Sequence, residues 1–250
     1  MTSPEAAPAS TTSKPERKRP ARDRSLALSV WYRFVQQLSI MAFSLFGGVR
    51  ATGREHMPEE GGVLLVSNHV SFFDVFLLGL LLPRPLNYVA RSTLFMPGLA
   101  QLMRSVGGFP IQREGMGTQG VKETLRRLRN GGIVTLFPEG TRSRDGHLGA
   151  LKPGIATLVS RAKVPVVPAG IAGAFEAWPR SSLFPRPHAV HIHYGPAIQP
   201  SELLNLETEA VVALVHDRMA EALATAREHL SLQDPTAPES RQDGPAGPTS

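Results

Sequence analysis

His69 and Asp74 stand five residues apart in the stretch Asn68-His69-Val70-Ser71-Phe72-Phe73-Asp74. An imidazole that gives one ring N–H to a carboxylate is held in a single tautomer. Its other nitrogen is then presented as a proton acceptor, which is what a general-base histidine requires. Five steps of a regular helix place two side chains on different faces. The pair therefore meets only if His69 lies in a turn and Asp74 in the first turns of the helix that follows. The flanking residues fit that requirement. Gly62-Val63-Leu64-Leu65-Val66 reads as a buried strand and residues 75–82 as a buried helix. Taken alone, the spacing suits equally a histidine that only hydrogen-bonds beside a strand. Asn68 reads either as a brace of the turn or as a simple turn residue.

Three further blocks follow in order: Gly107-Gly108-Phe109-Pro110-Ile111-Gln112-Arg113, Phe137-Pro138-Glu139-Gly140-Thr141-Arg142-Ser143 and Val166-Val167-Pro168-Ala169-Gly170-Ile171. With the first block they resemble the lysophosphatidate acyltransferase family (1-acylglycerol-3-phosphate O-acyltransferases). Its pattern is Asn-His-x4-Asp, Gly-x-x-x-Ile-x-Arg, Phe-Pro-Glu-Gly-Thr-Arg and a Val-Pro-rich block. The resemblance spans residues 47–200 and implies that His69 and Asp74 carry catalysis. It also implies that Arg113, Glu139, Gly140, Thr141 and Arg142 bind the acceptor, and that the last block lines the site. The implied reaction moves a fatty acyl group from acyl-CoA or acyl carrier protein to the free hydroxyl of a lysophosphatidate. No cofactor beyond that co-substrate is expected.

The residue types suit such a transfer. The alcohol must lose its proton as it attacks the thioester, so a base is needed within hydrogen-bond reach. His69 with Asp74 is the best candidate. The oxyanion needs donors, for which backbone N–H groups or the start of the helix after the motif are expected. The chain has no cysteine and no Gly-x-Ser-x-Gly elbow, so direct transfer without an acyl-enzyme is the simplest route. A phosphate on the acceptor calls for guanidinium groups, and Gly140 would let the backbone approach closely. Glu139 would repel a phosphate, so it is expected to brace an arginine or a backbone N–H. Lys152 and Arg91 are candidates for the basic rim. Phe72, Phe73, Phe76, Leu77, Leu78 and Leu80 to Leu82, and the run at 94–99, are candidates for an acyl slot, for ordinary core or, for a few of them, for contact with lipid. His188, His191 and His193 resemble a metal cluster at first sight. However, His191 and His193 alternate on a strand and no acidic third ligand is near, so no metal is expected.

The elements that must position these residues alternate. Strand-like runs at 63–67, 86–90, 109–113, 133–137, 164–171 and 189–194 are separated by helical patterns, the clearest at 118–129. This alternation implies an α/β domain over 50–230, with a mostly parallel central sheet flanked by helices and functional residues in loops at strand ends. Residues 203–230 read as one long or broken helix. Residues 1–24 are a Ser/Pro/Ala-rich basic tail and 231–250 a Pro/Gly/Ser-rich tail, both expected to be disordered.

Residues 25–49 form an N-terminal amphipathic pattern. Val30, Trp31, Phe34, Val35, Leu38, Met41, Ala42, Leu45 and Phe46 recur at helical spacing, with Arg33, Gln36, Gln37 and Ser44 on the other side. The polar residues interrupt a spanning segment and favour a helix lying in the membrane plane. A net charge of +6 suits an anionic surface. Few aromatics and no finger or recognition-helix pattern argue against a nucleic-acid partner. The expected place is the cytoplasmic face of a membrane. Two other readings stay open: an acyltransferase for another lysolipid or glycerol 3-phosphate, and a lipid-binding protein that keeps the fold without the chemistry.

Overall fold

The computed structural model describes residues 26–91, 99–105, 107–111 and 117–232. The two tails, Arg113 and most of the 94–99 run lie outside them. Among the described residues the order is α1 (Leu26–Leu45), β1 (Val49–Thr52), β2 (Val63–Ser67), α2 (Asp74–Leu80), β3 (Leu86–Arg91), α3 (Leu99–Ser105), β4 (Gly108–Ile111), α4 (Gly117–Arg129), β5 (Ile133–Leu136), α5 (Gly154–Ala162), β6 (Val166–Ala172), α6 (Ala174–Ala177), β7 (Val190–Tyr194) and α7 (Thr208–Ser231). The fold is α/β with a mostly parallel sheet, in the order β1-β7-β6-β2-β5-β3-β4. Of the strand pairings among the described residues, β6–β7 alone is antiparallel.

Strands buried on both faces need no polar alternation, and the central strands are continuous apolar runs for that reason. Val63 and Leu65 of β2 face one core, with Leu77 and Leu78 of α2 and partly buried Val35, Ile40 and Phe43 of α1. Leu64 and Val66 face the other, with Leu128 of α4, Ile155 and Leu158 of α5, and Val211 and Val215 of α7. The helices after β2 and β5 thus pack on opposite faces of neighbouring parallel strands. Their divergence opens a crevice at the carboxyl ends of those strands, where α/β sheets place their ligands.

α7 lies directly on β6. A Cβ at Gly170 would stand 2.4 Å from the backbone N and Cα of Leu223. Backbone cannot retreat as a side-chain tip can. Gly170→Ala is therefore expected to cost about 3 kcal/mol, read as a lowered midpoint of chemical denaturation.

Three elements differ from the sequence reading. The N-terminal helix stops at Leu45, because Gly47 (φ 102°) and Gly48 (φ 83°) take left-handed conformations that end it. Val49–Thr52 is then an edge strand parallel to β7. It is too short to show a period of its own. The 203–230 pattern is carried by one long helix that starts later, at Thr208, after a short 3-10 turn over Pro200–Leu203.

α1 turns part of its polar side into the domain and its apolar side outward. Gln36 is buried, its side-chain amide donating to the carbonyls of Gly79 (2.8 Å) and Leu82 (3.0 Å), where α2 ends. Carbonyls at a helix end have no intrahelical partner, and a buried glutamine satisfies two of them. The side of α1 turned away from the domain carries Leu26, Val30, Phe34, Leu38, Met41 and Leu45, all exposed. Among the described residues no helix is long and apolar enough to cross a membrane.

His191 and His193 occupy the face of β7 turned toward the last turns of α7. His229 stacks on them with ring centroids at 5.0 and 6.4 Å, and Thr52 Oγ1 bonds both rings at 3.1 and 2.9 Å. Burial first, then the neighbouring His229, His193 and Arg50, push His191 down to about 4. An unfolded imidazole titrates near ~6.5, so between those values only the unfolded chain holds the proton. This contribution is complete above about pH 6.5 and is lost as pH falls toward about 4. A pH series of thermal melts should show the acid-side fall shallower in His191→Asn than in the wild type, by up to about 2 kcal/mol.

Candidate active site

The loop after β2 is built around one carboxylate oxygen. Asp74, fully buried at the first position of α2, accepts three hydrogen bonds at Oδ2: His69 Nδ1 at 2.7 Å, Val70 N at 2.6 Å and Ser71 N at 2.8 Å. The backbone bonds fix the turn, and the turn brings the imidazole to the carboxylate across five residues. His69 is thereby a Nδ1–H tautomer with Nε2 as its basic atom. The ring is one-fifth exposed and stacks on Phe137 (centroids 4.1 Å, 17° between planes), so Nε2 can meet a substrate while the ring cannot swing.

Asn68 and Glu139 tie this loop to its neighbours. Asn68 is buried at the end of β2; its amide donates to Ile171 O (3.0 Å) and its oxygen accepts from Ile171 N (2.8 Å). It completes the β2–β6 ladder where that pairing ends. Glu139 accepts from His69 N at 2.8 Å with one oxygen and from Gly149 N at 3.0 Å with the other. Burial holds its carboxyl above the usual range, against the pull of these bonds. Both oxygens are engaged with backbone, so the carboxylate clamps the β2 and β5 loops together. Ser143 N donates to His69 O at 2.7 Å and closes the same junction.

These bonds narrow the choice of oxyanion donors. The N–H groups of His69, Val70 and Ser71 go to carboxylates, and that of Phe73 goes to Ser71 Oγ. A developing oxyanion must draw on donors other than these four.

The Phe137–Ser143 segment turns sharply at Gly140 (φ 74°). Lys152 runs so close there that an added Cβ would stand 2.5 Å from its Cε. The positive φ favours glycine here, and any side chain would also have to push the Lys152 tip aside. Beyond it, the Arg142 guanidinium lies 3.4 Å from the centroid of the Phe72 ring, joining the second loop to the first by a cation–π stack. A cleft of about 460 Å³ opens here, lined by Thr141, Arg142, Arg144, His147 and Arg180 among others. Glu139, Gly140, Thr141 and Arg142 are thus gathered beside His69. Arg113 lies outside the described residues.

Sequence reasoning missed Trp178 and Arg180. Trp178 packs on Phe72 and Phe73 (4.8 and 4.9 Å), and its carbonyl accepts from Ser71 Oγ at 2.9 Å. Arg180 reaches Thr141 Oγ1 at 3.5 Å. Both follow β6 by a few residues and carry no motif. Only the β2–β6 pairing brings them to the site.

Among the described residues no group of three or more His, Cys, Asp or Glu is placed to hold a metal ion. An Asp-held histidine at the carboxyl ends of the parallel strands, with a cleft carrying Arg142, Arg144 and Arg180 beside it, has the groups that an α/β enzyme of the proton-transfer class needs. The comparisons agree. The acyltransferase family model matches residues 48–172, half of the chain, which belongs to that family and is an acyltransferase. It is 32% identical over 144 residues to the 1-acyl-sn-glycerol-3-phosphate acyltransferase of Bacillus subtilis, covering 57% of this chain and 71% of that protein. Against the chloroplastic enzyme LPAT1 of Arabidopsis thaliana it is 33% identical over 141 residues, covering 55% of this chain and 39% of the relative. The crystal structure of the 1-acyl-sn-glycerophosphate acyltransferase PlsC from Thermotoga maritima superposes with a TM-score of 0.70 at 25% identity, over 83% of each chain.

Proposed function

We propose that this acyltransferase transfers a fatty acyl group from acyl-CoA or acyl carrier protein to the free hydroxyl of 1-acyl-glycerol 3-phosphate, giving phosphatidate. The observation that carries this reading is the Asp74-held His69 beside the arginine cleft. His69 Nε2 takes the hydroxyl proton as that oxygen attacks the thioester carbonyl. The tetrahedral intermediate collapses to the new ester, and the departing thiolate takes the proton from the imidazolium, leaving a free thiol. No group is oxidised, and no acyl-enzyme forms.

Arg142 is assigned to the acceptor's phosphate. Its stack on Phe72 engages the flat face, and guanidinium N–H groups lie in the plane where phosphate oxygens are met. Arg142→Ala is expected to raise the acceptor KM by about tenfold to a hundredfold, with kcat changed only a few-fold, because a charge-assisted contact is worth about 1.5–3 kcal/mol. Initial rates over a range of acceptor concentrations check this, and an unchanged KM would remove Arg142 from phosphate binding.

Both acceptor and product are lipids, and the exposed apolar stripe of α1 supports an in-plane membrane helix. We place it on the cytoplasmic face, where the thioester donors are found. The deciding assay is thiol release from palmitoyl-CoA, with and without lysophosphatidate. Acceptor-dependent release supports the assignment. Release with other lysolipids or glycerol 3-phosphate alone would reassign the acceptor, and none with any donor or acceptor would favour a lipid-binding protein.

A further inference from the structure

Residues 179–187, between α6 and β7, are tied at both ends to parts of the molecule that handle lipid in the reading above. At the first end, Pro179 bridges Ser71 of the catalytic loop, beside Trp178 on Phe72 and Phe73. At the other, His188 N donates to Phe46 O (2.9 Å) and Val190 N to Gly48 O (3.0 Å), where the chain leaves α1. The loop is stiffened from within. Arg186 N donates to Ala177 O (2.7 Å), Trp178 Nε1 to Ser182 O (3.1 Å) and Ser182 Oγ to Phe184 O (2.7 Å). Pro179, Pro185 and Pro187 restrict it further.

This ordered loop holds Leu183 at 80% and Phe184 at 72% exposure. A flexible loop could fold such a pair back, whereas this one is braced to display it. Arg180 and Arg186, both exposed, flank the tip, and no carboxylate occurs between Glu176 and Val190. Apolar side chains bracketed by cations match the bilayer interface, where acyl chains lie beneath anionic phosphates. The segments that the loop's two ends touch carry exposed apolar side chains as well, Leu45 and Phe46 at the exit of α1 and Phe72 and Phe76 beside the site.

We infer that the 179–187 loop is a second membrane-inserting element, with Leu183 and Phe184 entering an anionic phospholipid bilayer and Arg186 meeting lipid phosphates. With α1 it holds the mouth of the His69 site against the membrane, so the acceptor's glycerol phosphate reaches the arginine cleft while its acyl chain stays in lipid. The inference rests on the proposed lipid substrate, but its test reads binding without turnover.

The test compares the full-length wild type with Leu183→Ser/Phe184→Ser in cosedimentation with phosphatidylcholine vesicles containing phosphatidylglycerol. Partitioning should fall about tenfold or more in the double variant. Turnover of a short-chain, water-soluble acceptor should stay within about twofold, because neither side chain touches the site. In a second arm, the emission of Phe184→Trp should be quenched by brominated lipid beyond that of the wild type. Undiminished vesicle binding by the double variant overturns the inference. So does absence of added quenching in vesicle-bound Phe184→Trp. A smaller assembly state of the double variant without vesicles also overturns it, assigning the tip to contact between copies of this chain. An inactive protein with normal tip insertion would instead fail the substrate reading and leave this one intact.

Discussion

His69→Ala is expected to lower kcat by about 10²–10⁴-fold while leaving the fold and acceptor affinity almost unchanged. A positioned general base contributes about 10²–10⁴-fold, and no second imidazole stands beside the Asp74 carboxylate to replace it. The stability cost should be small. The ring is one-fifth exposed, and its loss uncovers one face of Phe137 without opening an internal cavity. Asp74 would still accept from Val70 N and Ser71 N, so the turn survives. Single-turnover rates beside a thermal melt check both halves. A variant that melts normally and still transfers acyl groups at the wild-type rate would show that Nε2 is not the base.

The second large effect separates what Asp74 does for the fold from what it does for the reaction. In Asp74→Asn the amide oxygen can take the place of Oδ2 and keep the acceptor for all three N–H groups. The amide nitrogen then occupies the place of Oδ1, which is buried without a hydrogen-bond partner among the described residues. That unsatisfied donor costs about 1–3 kcal/mol. Catalysis should fall further than stability suggests, by about 10²–10⁴-fold, since no negative charge remains to balance the imidazolium. Asp74→Ala removes the acceptor altogether and strands Val70 N and Ser71 N. It should cost about 2–5 kcal/mol in addition to the lost activity. Denaturation midpoints and kcat, measured on the same preparations, distinguish the two variants. Equal stability of Asn and Ala at this position would contradict the turn-bracing role.

The two variants also show why the centre of the site was legible early. His69 and Asp74 interact across a local turn, and their spacing and flanking apolar runs are enough to demand strand, turn and helix. The same holds for β2, β5 and β6, whose continuous apolar runs follow from burial on both faces. The Lys152 side chain that packs against Gly140 comes from twelve residues away and was not readable locally.

Non-local pairing decided the rest. The sheet places β5 between β2 and β3, and that insertion, which no local pattern encodes, sets Glu139 against the His69 backbone and Arg142 on Phe72. The β2–β6 pairing carries Trp178 to the His69 loop and Arg180 to the cleft from a segment without a motif. α1 illustrates the limit most plainly. Its periodicity separates an apolar side from a polar one, but either can face the protein. The open carbonyls of Gly79 and Leu82 select buried Gln36 for the inside and leave the apolar stripe outward. Hydrophobic pattern and short spacing therefore determined the strands other than β1, the class of fold and the histidine–carboxylate pair. Strand order and the hydrogen-bonding needs of distant backbone ends, which depend on the folded chain as a whole, decided which loops share the site and which face of α1 meets its surroundings.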